Sequence, residues 1–219
     1  MLNYRCLVLD HDDTVVQSAK TVNYPAMVEA LRTERPGVEI SYEEFTLGCF
    51  HKTFTGMCRE DLHYTDEELD RHYCFWKSYV RSHIPPAYDG LRELLSRFRA
   101  EGGLICVSSH SGDENITRDY LRHFGFLPDR IYSADLPLHL NKPDPYALRE
   151  IMRIYGLQPG ELLMVDDMKP GYDMASACGV PFACAGWSHD IDEIADFMGK
   201  NSDFYLNTVK ELETLVFGS

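Results

Sequence analysis

Hydrophobic and polar positions along the chain fall into two textures. Residues 5–10 (RCLVLD) form a short apolar run ending in acid, the pattern of a strand buried on both faces. From about residue 18 to 84 the spacing turns helical and stays so. Ser41–Glu44 and Thr65–Glu68 each have the form of a capping box. There the hydroxyl accepts from the backbone N–H three residues on, and the acid accepts from the N–H of the cap, so each pair opens a helix. Leu69, Tyr73, Trp76 and Val80 then recur at helical spacing.

Pro85-Pro86 closes this helical block, and strands begin to alternate with helices. Strands are predicted at 104–108 (LICVS), 130–133, 162–166 (LLMVD), 182–186 (FACAG) and 203–206. Between them, Leu91, Leu94, Leu95 and Phe98 mark a helix ending at Gly102-Gly103, and another is predicted over 114–124. Asp144 is expected to cap a further helix with Pro145 at its first position and Leu148, Ile151, Met152 and Tyr155 on its apolar face. Helices near 171–178, near 191–198 and from 208 complete the pattern. Such alternation implies an α/β fold: a Rossmann-like parallel sheet core, residues 1–16 and 85–219, with an α-helical cap inserted at 17–84.

Composition narrows the possible partners. The 219 residues are 44% hydrophobic and 26% charged, enough to build a core. Lys+Arg number 21 against 35 Asp+Glu, a formal charge of −14, which repels nucleic acid backbones and anionic membranes. Neither is expected as a partner. No stretch approaches membrane-spanning length, and the apolar run Cys6–Leu9 is too short for a secretion signal. Seven cysteines without a CxxC pair read as reduced thiols, so a cytoplasmic location is expected. Oligomeric state is left open.

In open α/β sheets ligands bind beyond the carboxyl ends of the strands. Those ends carry Asp10-His11-Asp12-Asp13-Thr14, then Ser108, Ser109 and His110, then Asn141-Lys142-Pro143-Asp144-Pro145, then Asp166 and Asp167. Carboxylates gathered in one crevice repel unless a cation lies among them, and hard oxygen donors suit Mg²⁺. The ion would also offset the acidic surface and admit a phosphate. A carboxylate beside a phosphoryl group can attack it, and a second one two residues on can protonate the leaving oxygen and later deprotonate water. Lysine and serine would hold the non-reacting oxygens.

On these motifs the chain resembles the haloacid dehalogenase-like hydrolase superfamily, in its subgroup with a helical cap between the first two motifs, as in phosphoglycolate phosphatases. The first motif, an apolar strand followed by DxDx[TV], is LVLDHDDT. The second, a strand ending in Ser or Thr, is LICVSS. Lys142 in NKPDP matches the third, and LLMVDDMKPGYDMA the fourth. The resemblance implies that Asp10 is the nucleophile and Asp12 the general acid/base, whose backbone carbonyl also meets Mg²⁺. Ser108 and Lys142 would bind the phosphoryl group, with Thr14 and Ser109 on the substrate side. Asp10, Asp12, Asp166 and Asp167 would surround the metal, Asp167 the firmer ligand and Asp166 assisting directly or through water. The chain departs from the family pattern at Asp13, where glycine is commonest, at Ser109, where Asn or Asp often follows, and at Gln17, which precedes Ser18 where Asp is usual.

Competing readings carry less. An EF-hand loop from Asp10 fails, because Val15 takes its required glycine position and Thr21 its bidentate glutamate. His11 is expected to pack against a neighbouring strand, and Tyr73, Phe75, Trp76 and Tyr79 to form cap core. Cys49, His51, Cys58, His63, His72 and Cys74 match no standard zinc spacing. The expected activity is Mg²⁺-dependent hydrolysis of a small phosphorylated metabolite through an aspartyl-phosphate. Asp12 argues against the dehalogenase branch. The alternatives are a phosphosugar mutase of the same fold, disfavoured because VVQSAKTVN lacks a hinge histidine, and a non-catalytic phosphate- or metal-binding relative.

Overall fold

The computed structural model describes residues 2–218. Along the chain run β1 (Cys6–Leu9), a π-helical turn (Ala19–Asn23), α1 (Tyr24–Glu34), α2 (Tyr42–Glu60), α3 (Asp66–Ser82), α4 (Leu91–Ala100), β2 (Leu104–Ser108), α5 (Asp113–His123), β3 (Arg130–Tyr132), α6 (Tyr146–Tyr155), β4 (Leu162–Asp166), α7 (Lys169–Ser176), β5 (Phe182–Ala185), α8 (Asp192–Asn201), β6 (Phe204–Leu206) and α9 (Val209–Phe217). Two compact units result: residues up to Val16 together with those from Pro86 onward, and Gln17–Pro85.

The first unit is an α/β fold built on a six-stranded parallel sheet in the order β3-β2-β1-β4-β5-β6. β1 lies between β2 and β4, so successive connections run in opposite directions on its two sides, the switch point at which such sheets open a crevice. Register sets the level of that crevice: Leu9 is opposite both Val107 and Val165. The next residues on the three strands, Asp10, Ser108 and Asp166, therefore come to one edge. The strands hold there because they are apolar up to those end groups: Cys6–Leu9 are fully buried, as are Ile105–Val107 and Leu162–Val165. Leu95, Phe98, Ile116, Tyr120 and Leu212 belong to the same core cluster as Leu7, Leu9 and Leu163. At Gly103 a Cβ atom would come within 2.3 Å of the Phe98 ring, so only glycine lets β2 start so close to α4.

Several element ends differ by a residue or two from the expectation, among them those of α5, α6, α7, β3, β5 and β6. α6 starts at Tyr146, with Pro145 in the cap position rather than at the first helical one. Asp144 still serves the helix start, its Oδ1 accepting from the Tyr146 N–H at 2.9 Å. β3 ends at Tyr132, one residue early.

In the second unit both capping boxes form. Ser41 Oγ accepts from the Glu44 N–H at 3.2 Å, while Glu44 Oε2 accepts from the Ser41 N–H at 2.8 Å; Thr65 and Glu68 do the same. The Thr65 N–H and the Arg35 guanidinium hold the Glu68 carboxyl down to about 2. Met27, Leu31, Phe45, Met57, Cys58 and Tyr64 make the core. α2 is broken at Thr53, whose φ of 63° and ψ of 164° are not helical. Of the aromatic run expected to form cap core, Phe75, Trp76 and Tyr79 are half-buried and Tyr73 is exposed. α3 buries His72 and Val80 and leaves Tyr73 exposed, stacked on Trp76 with Lys77 Nζ over its ring. The buried face of α3 passes through position 72, because the rings of Phe54 and Tyr64 take up the His72 imidazole.

Two measurements check this packing. Phe98→Ala removes a fully buried ring and is expected to cost about 3–5 kcal/mol in urea unfolding. Burial holds His72 down to about 4, whereas the unfolded chain protonates it near 6.5. Over that window the unfolded state binds more protons, so stability falls as pH drops from 6.5 to about 4, by on the order of 3 kcal/mol. His72→Phe should flatten this part of the stability–pH curve.

Candidate active site

Asp10 directly follows β1, and its N–H donates to the Val165 carbonyl at 2.9 Å, which continues the strand pairing into the site. The chain then turns tightly. The N–H groups of Val15 and Val16 both donate to the His11 carbonyl, and the Asp13 N–H donates to Val16. The turn needs one residue in the left-handed region, and Asp13 supplies it at φ 56°. Asp is one of the few side chains that tolerate this conformation, which accounts for its standing where glycine is commonest. The His11 side chain does not rest on a neighbouring strand as expected. It is buried, and its Nε2–H donates to Asp119 Oδ2 on α5 at 3.1 Å. Asp119 Oδ1 in turn accepts from Arg118 at 2.7 Å. The pairing pins the residue between Asp10 and Asp12.

Lys142 enters the same edge from the segment before α6. Its Nζ lies 2.5 Å from Asp166 Oδ2 and 2.9 Å from Asp10 Oδ1. Its backbone carbonyl accepts from His110 Nε2 at 2.9 Å, which ties it to the segment after β2. Burial opposes the Lys142 charge, but Asp10 and Asp166 outweigh it and hold the ammonium above its ordinary value. Asp166 is fully buried, which drives its carboxyl well above the usual range; Lys142 opposes this rise and Asp10 and Asp167 add to it. Its second oxygen accepts from the Met168 N–H at 2.8 Å. α7 packs so closely behind it that a Cβ at residue 171 would lie 2.2 Å from Asp166 Oδ2, so Gly171 is required there.

Asp167 points into the site with both oxygens held. Oδ1 accepts from Thr14 Oγ1 at 3.2 Å, and Oδ2 lies 2.6 Å from His189 Nε2. Thr14 thus spends its hydroxyl on an acid. Ser109 Oγ accepts from the Ser111 N–H at 3.1 Å, shaping the loop that leads to α5. Ser108 is buried, and its Oγ donates to the Met174 sulfur at 3.9 Å, a weak acceptor that a ligand oxygen could replace. Asp12 follows the pinned His11 in the turn and forms a bridge with Val16. His189 and Asp119 had no place in the sequence-based site. The first was within reach, since the carboxyl end of the fifth strand leads straight into Trp187-Ser188-His189. The second lies mid-helix, where nothing in the pattern separates it from a solvated acid.

Ligand oxygens of Asp10, Asp166 and Asp167 lie within 4.8 Å of one another. Three carboxylates against one ammonium leave a formal charge of −2. Asp10 Oδ1 is ion-paired with Lys142 Nζ at 2.9 Å but among the described residues meets no donor in good hydrogen-bonding geometry. A buried carboxylate oxygen left in that state, among hard oxygen donors, fits a small divalent cation.

A carboxylate directly after β1, a buried lysine and a pair of acids at the end of β4 thus meet at one edge of a parallel sheet. The family model for haloacid dehalogenase-like hydrolases matches residues 4–179, and the chain belongs to that family. Among curated relatives, a phosphoglycolate phosphatase of Thiobacillus denitrificans is 24% identical over 199 residues, covering 86% of each chain. Solved structures with the same fold include a predicted phosphoglycolate phosphatase from Haemophilus somnus, 16% identical with a TM-score of 0.76 over 97% of each chain. CbbY of Rhodobacter sphaeroides, crystallised with xylulose-(1,5)bisphosphate, is 15% identical, with a TM-score of 0.76 over 95% of this chain and 96% of its own. The chain is thus an enzyme of a hydrolase family whose relatives include phosphatases.

Lys142→Met tests the charge balance. Removing this ammonium from a buried acidic cluster is expected to lower stability by about 3–5 kcal/mol, and millimolar Mg²⁺ should restore part of the loss in a thermal melt.

Proposed function

We propose that the protein is a Mg²⁺-dependent phosphoric monoester hydrolase that acts on a small phosphorylated metabolite through an aspartyl-phosphate. One observation carries the reading: Asp10, Lys142, Asp166 and Asp167 converge at the switch point of the sheet, with Asp10 Oδ1 short of a hydrogen-bond partner. Asp10, Asp166, Asp167 and the Asp12 carbonyl would hold the ion. When bound, it supplies positive charge that draws the phosphoryl group in and offsets the charge that develops on it.

The steps belong to the chain's own residues. Lys142 and the Ser108 hydroxyl hold the non-reacting phosphoryl oxygens and keep the phosphorus in line with Asp10. An oxygen of Asp10 forms a bond to phosphorus as the ester P–O bond breaks. Asp12 gives its proton to the departing alkoxide, so the alcohol leaves neutral. Asp12, now a carboxylate, takes a proton from water as that water attacks phosphorus. The Asp10–phosphorus bond breaks, inorganic phosphate forms, and both carboxyls return to their starting states.

In this reading residues 1–16 and 85–219 are the catalytic core, and residues 17–84 are the cap. The cysteine pattern supports a reducing, cytoplasmic setting. Phosphoglycolate is the first metabolite to try, because two curated relatives carry that activity in their names.

The test is hydrolysis of an aryl phosphate and of phosphoglycolate, with Mg²⁺ and with EDTA. Turnover is expected only with the metal, and Asp10→Asn should lower kcat on the order of 10³-fold or more while the protein stays folded. Turnover that survives EDTA, or survives in Asp10→Asn, contradicts the mechanism.

A further inference from the structure

Past β5 the chain reaches back toward the nucleophile. Trp187 Nε1–H donates to the Thr14 carbonyl at 3.3 Å. Ser188 Oγ lies against the carbonyls of Asp13 and, at 2.7 Å, Ala185, so its single proton ties the two segments together. His189 Nε2 lies 2.6 Å from Asp167 Oδ2, with both side chains only 3% exposed. Three consecutive side chains thus bond to the turn after β1 and to the acid after β4. Thr14 closes the circuit, its carbonyl taking Trp187 and its hydroxyl giving to Asp167 Oδ1.

We propose that Trp187, Ser188 and His189 form a clamp, with His189 the positioning residue that aims Asp167 at the divalent ion. The proposal rests on the metal-dependent reading above and adds residues that the four motifs do not contain. A carboxylate accepts and cannot donate, so His189 Nε2 carries the proton of this bond. Held at both oxygens from two different loops, Asp167 cannot turn about its terminal bond. It therefore meets the ion already oriented instead of losing side-chain freedom on binding. Trp187 and Ser188 keep the two loops from drifting apart.

The experiment uses the full chain and Mg²⁺ alone, with binding followed by calorimetry and stability by thermal melting. His189→Leu keeps the bulk and loses the N–H, whereas His189→Gln can place an amide N–H where Nε2 stands. His189→Leu is expected to weaken Mg²⁺ binding about 10- to 100-fold, and His189→Gln to stay within about 3-fold of the wild type. In turnover the Leu variant should need correspondingly more Mg²⁺. A side chain that only filled space would lower the melting temperature and leave the affinity unchanged. Wild-type affinity in His189→Leu, or an equal loss in both variants, overturns the clamp while leaving the metal reading intact. A wild-type chain that binds no Mg²⁺ overturns the metal reading, and the clamp with it.

Discussion

The structure of the site depends on the repulsion among three buried carboxylates brought to one sheet edge. Asp10, Asp166 and Asp167 would not remain there without Lys142, whose ammonium touches two of them. Coulomb energies at these separations are large wherever water is excluded, so the arrangement persists only because opposite charge and hydrogen bonds are built in at the same point. The cost is borne by the sheet. β1 is apolar throughout, β2 and β4 are apolar up to Ser108 and Asp166, and the apolar stretches Cys6–Leu9, Ile105–Val107 and Leu162–Val165 are fully buried. A cluster that one ammonium leaves short of neutrality is also poised to take up a cation.

Orientation comes from what surrounds the carboxylates. Each acid has a partner that restricts it: Lys142 and the Met168 N–H for Asp166, and Thr14 and His189 for Asp167. The turn after β1 is held from a third side, where His11 reaches Asp119 on α5. These partners come from segments far apart in the chain. Removing any one of them would free a carboxylate to rotate without removing it, and catalytic geometry tolerates little of that.

Thr14 and Ser109 show how local chemistry and tertiary position can part. By resemblance both stand on the substrate side, and both are at the site. Their hydroxyls are nonetheless engaged, one with Asp167 and the other with the Ser111 N–H. Ser108 differs, since its hydroxyl donates to a thioether, a weak acceptor. Hydroxyls of one chemical kind, a few residues apart or on adjacent strands, thus take different tasks according to what each meets.

The sequence by itself determined the strands, the helical insertion, the capping boxes and the four polar strand-end groups that meet at the candidate site. Each of these rests on local pattern: apolar runs ending in acid, a hydroxyl with an acid three residues on, a lysine before Pro-Asp-Pro. Asp13 was legible as a departure from glycine, and its left-handed backbone is the physical reason the substitution works. Sheet order, the turn of α3 that buries His72 in place of Tyr73, the pairing of His11 with Asp119 and the reach of His189 to Asp167 were decided by tertiary structure alone. The reason is the same in each case. Which face of a helix is buried, and which distant group a polar side chain meets, depend on neighbours supplied by other segments, and spacing along the chain does not encode them.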